Sequence, residues 1–146
     1  MNHLSIPDLI ANYLASLAPS KRAEMQLLDQ MIRNTMPGAQ LWFLDGKDAN
    51  GKVVANPNIG YGNLQLKYKD GSSKPFYQVG IAAHSLGYSI YIMGLPDKHY
   101  LASTYATKIG NASISSYCIK FKSLKEVDEA VLKQAILDAL AITKIS

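Results

Sequence analysis

Residues 59–93, IGYGNLQLKYKDGSSKPFYQVGIAAHSLGYSIYIM, decide the fold class. Residues 59–68 alternate with period two: Gly62, Leu64, Leu66 and Tyr68 fall on one face, and Tyr61, Asn63, Gln65 and Lys67 on the other. Asp70-Gly71, with Ser72, Ser73 and Pro75 following, predicts a long hairpin connection. Residues 76–84 predict a second strand, Ser85-Leu86-Gly87 a short turn and residues 88–93 a third strand. Three consecutive strands joined in this way pair most simply as an antiparallel meander.

The flanks are helical. Ser5 suits an N-cap, with Asp8 three residues on, and Leu9, Ile10, Tyr13, Leu14 and Leu17 follow at helical spacing. Pro19 separates this helix from a second, capped by Ser20, whose buried face is Leu27, Leu28, Met31 and Ile32 and which Pro37-Gly38 stops. Residues 40–44 predict a strand and residues 45–51 a turn-rich loop. Beyond the meander, Asp97 opens a helix carrying Tyr100, Leu101, Tyr105 and Ile109, which ends at Gly110. A last strand occupies residues 116–121, with Tyr117, Ile119 and Phe121 facing the helices. Asp128 caps a final helix with Val131, Leu132, Ala135, Ile136, Ala139 and Leu140 on its apolar face. The expected fold is therefore α+β: an antiparallel sheet of about five strands with an N-terminal helix hairpin, one inserted helix and a C-terminal helix packed on it. It forms one domain over residues 1–146.

Composition bounds the function. The chain is 48% hydrophobic and 18% charged, which suits a packed core and excludes a disordered tail. One cysteine excludes an intramolecular disulfide and a cysteine-only zinc site, and fits a reducing compartment. No apolar run is long enough to span a bilayer, and residues 1–20 lack the pattern of a secretory leader, so a cytoplasmic protein without a membrane partner is expected. A net charge of +4 lies in the ordinary solubility range. Only two arginines occur, Arg22 and Arg33, which disfavours a nucleic-acid partner.

Motifs for common chemistries are missing. Gly60-Tyr61-Gly62 lacks the spacing and the Lys-Ser/Thr end of a phosphate loop, and there is no Gly-x-Ser-x-Gly elbow. His3, His84 and His99 are not paired at helical spacing, and His3 is near the terminus. His84 shares a strand face with Gln78, Gly80 and Ala82, while Val79, Ile81 and Ala83 point the other way. Lys67, Lys69 and Lys74 cluster at one hairpin, and Lys120, Lys122 and Lys125 at the last strand. Were these strands neighbours, Tyr61, Gln65, Lys67, His84, Tyr91 and Lys120 would share the open sheet face. Lysines would hold an anion, tyrosines would stack or donate, and His84 would make binding pH-dependent. The alternative for that face is a solvated surface with lysines guarding sheet edges.

Residues 57–62 (PNIGYG), 66–68 (LKY), 79–84 (VGIAAH), 89–93 (SIYIM) and 116–124 (SYCIKFKSL), in this order and spacing, resemble the bacterial YdhG-like proteins, a family of unknown function. The resemblance spans roughly residues 6–141 and implies a compact α+β domain. Some members are linked to iron delivery by analogy with frataxin, which depends on an acidic helix ridge. Here the first helix offers Asp8 and the second Glu24 and Asp29, so iron binding is not carried over. Three readings follow. The leading one is a non-enzymatic binding domain for a small anionic or polar molecule, with no cofactor and an oligomeric state left open. The second is an iron or metal chaperone using Glu126, Asp128, Glu129 and His84. The third is a small enzyme pairing His84 with Cys118.

Overall fold

A computed structural model describes residues 4–143; His3 lies outside the described residues. The main sheet has six antiparallel strands in the order β1-β2-β5-β6-β8-β7. These are β1 (Leu41–Leu44), β2 (Asn58–Tyr61), β5 (Val79–His84), β6 (Gly87–Ile92), β7 (Ser113–Ile114) and β8 (Cys118–Phe121). β3 (Leu64–Lys67) and β4 (Ser73–Phe76) form a separate hairpin inserted between β2 and β5. The helices are α1 (Ile6–Ser16), α2 (Pro19–Thr35), α3 (Tyr100–Tyr105) and α4 (Glu129–Thr143). The fold is α+β.

The core lies between one sheet face and the helices. Ile59, Val79, Ile81, Ile90, Ile92 and Ile119 meet Ile10, Met25, Leu28, Ile32, Leu132 and Ile136, all buried. Burial of such a set is the main driving force for folding. Strand alternation then sends Gly80, Ala82, His84, Ser89, Tyr91, Cys118 and Lys120 to the opposite, open face.

The central meander is present, with strand membership changed around the β3–β4 hairpin. Gly62 takes φ +85°, which ends β2 at Tyr61. A single strand over residues 59–68 is therefore not formed, and the alternation restarts in β3. The expected connection after Asp70-Gly71 is also shorter, since Ser73 and Pro75 belong to β4, opposite Lys67 and Gln65. Eight short strands stand among the described residues, where about five were expected.

The helix hairpin is as expected, with the start signal changed for the second helix only. Ser5 Oγ accepts the Asp8 N–H and caps α1. α2 opens on Pro19, whose fixed φ suits the first helical position, so Ser20 is not its cap. Its buried residues are Met25, Leu28, Ile32 and Thr35, while Leu27 is exposed. The inserted helix is shorter than expected: Asp97 stands outside α3, where its carboxylate accepts the His99 N–H. Asp128 caps α4 by accepting the Ala130 and Val131 N–H groups.

Candidate functional site: a cleft at the β7–β8 edge

Strand pairing brings His84 and Lys120 to one end of the open face. His84 closes β5 opposite Gly87, and Lys120 pairs with Ser89 on one side and Ser113 on the other. His84 Nε2 and Ser89 Oγ share a hydrogen bond of 3.1 Å. Lys21 of α2 donates to the His84 carbonyl at 2.5 Å, so a helix on the far side of the sheet holds this strand end in place.

A second segment closes the cleft from the side. The Asn111 N–H donates to the Glu126 carbonyl and the Asp128 N–H to the Ile109 carbonyl, which lays residues 109–113 against residues 126–128. The close approach needs Gly110: at φ +101°, an added Cβ would stand 2.5 Å from the Glu126 carbonyl oxygen. The result is a cleft of about 370 Å³ lined by His84, Leu86, Asn111, Ser113, Lys120, Lys122 and Glu126, with Ala112 and Phe121 completing its wall. That volume lies at the small end of the range of roughly 300–1,000 Å³ usual for ligand pockets.

Its chemistry is mixed. Lys120 and Lys122 supply two exposed ammonium groups. Leu86, 76% exposed, forms an apolar rim. Glu126 Oε2 is buried and accepts no hydrogen bond within the protein. An orphaned buried acceptor costs about 1–3 kcal/mol, which a donor arriving from a ligand would recover.

The other four residues of the expected site lie elsewhere. Tyr61 is fully buried on the helix side, because the strand breaks at Gly62 and its face is not shared with Gln65. Gln65 and Lys67 stand on the β3–β4 hairpin, beside Gln78, Gly94 and Thr143. Tyr91 is on the open face but away from the cleft, its ring 6.3 Å from that of Tyr117. Tyr117, expected in the core, precedes β8 and is exposed, as is Tyr68. Ser89, Asn111 and Ser113 were not among the expected site residues, and Gly110 beside them was read only as a helix stop; its close approach to Glu126 is visible in the structure alone.

The remainder of the open face is covered by aromatic packing. Tyr77 lies flat across Gly60 and Gly80, which pair in register; a Cβ on either would stand 2.5 Å from its ring. Its hydroxyl donates to Asn58 Oδ1 at 2.9 Å, and Phe76 stacks on it at 4.1 Å. Burial raises the Tyr77 hydroxyl above the ordinary tyrosine pKa.

Cys118 is buried, and burial pushes its thiol up, against smaller downward effects from the Ser89 hydroxyl and the Lys120 charge. A thiol held protonated is a poor nucleophile. The acidic residues do not assemble either: Asp128 caps α4, Glu126 enters the cleft, and no group of three or more His, Cys, Asp or Glu that could hold a metal ion exists among the described residues. No described helix is long and apolar enough to cross a membrane.

Comparison with family models, with curated proteins and with solved structures finds no match to this chain.

Proposed function

We propose that this chain is a cytoplasmic, non-enzymatic binding domain of YdhG-like type that takes a small zwitterionic molecule in the cleft between His84, Lys120, Lys122 and Glu126. The carrying observation is that Glu126, whose Oε2 is buried with no hydrogen-bond partner among the described residues, lines the same small cavity as two lysines. A ligand with an anionic group would meet Lys120 and Lys122, while an N–H or ammonium group would satisfy Glu126. His84, steadied through Ser89 and Lys21, would add a polar ring contact. Charge-assisted hydrogen bonds of this kind are about twice as strong as neutral ones.

A thermal-shift titration tests the reading with O-phosphoethanolamine as probe, and with phosphate and ethanolamine as its separate halves. The probe is expected to raise the melting temperature more than either half. Lys120→Gln and Glu126→Gln should each remove the shift. Stabilisation by iron(II) alone, or a shift that survives both substitutions, would contradict it.

A further inference from the structure

A groove of about 800 Å³, larger than the cleft, lies between α1 and α2. Its two walls differ in chemistry. The α1 wall is apolar, with Pro7, Ala11 and Ala15 exposed above the buried Ile10 and Leu14. The alanines stand one turn apart on one side of the helix, and their small side chains leave a channel. The α2 wall is polar: Arg22, Gln26, Asp29 and Arg33 recur at i, i+4, i+7 and i+11, a single helix face. Both arginines of the chain therefore line one groove, about 16 Å apart along the axis at 1.5 Å per residue.

The two arginines are not equivalent. Arg33 Nε is bound to Asp29 Oδ1 at 3.0 Å, and that oxygen also receives the Tyr61 hydroxyl, so the charge at this end is matched. Arg22 has no carboxylate partner among the described residues. One of its terminal nitrogens donates to the Leu17 carbonyl at 3.0 Å, while its Nε is buried and donates to nothing. Nε is enclosed, so the terminal nitrogens are the edge that Arg22 can offer to the groove, and an uncompensated guanidinium is suited to a carboxylate.

From this asymmetry we infer that the α1–α2 groove binds a free single-chain carboxylate, its head on Arg22 and its aliphatic tail along Ala11 and Ala15. The site is separate from the β7–β8 cleft and does not depend on it.

Isothermal titration with octanoate tests the inference, with acetate and octanol as controls lacking the tail or the charge. Saturable octanoate binding is expected, at least tenfold tighter than either control. Arg22→Gln should weaken it at least tenfold. Because that change also removes the bond to Leu17, Ala11→Phe provides an independent test: it fills the channel from an exposed position, leaves Arg22 in place and should weaken octanoate equally. The inference is overturned if the wild-type protein shows no saturable binding, if octanol binds as well as octanoate, or if Ala11→Phe binds octanoate unchanged. Binding to phosphatidylglycerol vesicles without binding to octanoate would overturn it in favour of a lipid surface.

Discussion

The Tyr61 hydroxyl on β2 donates a 2.5 Å hydrogen bond to Asp29 Oδ1 on α2, joining the sheet to the helix layer at a fully buried position. The same device recurs. Tyr88 of β6 donates to Glu24 of α2, and Tyr105 of α3 donates to Asp138 of α4, each at 2.5 Å. Glu24 also accepts the Leu124 N–H, so one carboxylate ties α2 to β6 and to the turn before α4. Part of the excess of nine tyrosines over three phenylalanines thus has an architectural cause: at Tyr61, Tyr88 and Tyr105 a ring fills the core while its hydroxyl reaches a helix carboxylate at the margin.

Tyr61→Phe keeps the ring and removes the bond. It is expected to lower stability by about 1.5–3 kcal/mol, the range for hydrogen bonds to charged groups. Urea denaturation reads this as a lower midpoint at unchanged slope. An unchanged midpoint would mean that the bond contributes nothing net.

The same tyrosine sets an alkaline limit. Burial first, then the charge of Asp29 and the bond to it, raise the Tyr61 hydroxyl well above its ordinary value of 10.0. The unfolded chain therefore releases this proton at a lower pH than the folded chain. The stability is complete below pH 10 and declines as pH rises beyond it. Above that point Tyr61→Phe should flatten the decline by about 1.4 kcal/mol per pH unit. Equal slopes for the two proteins would contradict the assignment.

Tyr77 can lie on the sheet only because Gly60 and Gly80 lack side chains. Gly80→Ala is expected to destabilise by about 1–3 kcal/mol through overpacking. In a Tyr77→Ala background the same change should cost much less, since the clashing ring is gone. Additive effects in this double-mutant cycle would show that the contact is not the cause.

Cys118 should react slowly with a disulfide reagent in the native protein and quickly after denaturation, because the thiol is both buried and held protonated. Rapid native labelling would revive the pairing of His84 with Cys118 as catalytic chemistry.

The fold was largely legible because period and punctuation agreed across residues 79–92: Val79, Ile81 and Ala83 face the core, and His84 faces away, as their alternation predicts. The site was legible only in part. Gly62 could be read as one more strand residue, yet its positive φ ends β2, so Tyr61, which shares the inward face of Ile59, is separated from Gln65 and Lys67. His84 and Lys120 do meet, because β6 pairs with both β5 and β8. Glu126 could be assigned from sequence only to an acidic group at a helix start. Its place in the cleft depends on the long-range pairing of Gly110 with Val127, which no local pattern encodes.

Amide chemical-shift mapping of the ¹⁵N-labelled protein with O-phosphoethanolamine tests the proposed cleft most directly. The perturbed amides should cluster at His84, Asn111, Ser113, Lys120, Lys122 and Glu126 and saturate together. Absence of perturbation, or perturbations centred on the β3–β4 hairpin around Gln65 and Lys67, would contradict the proposed site.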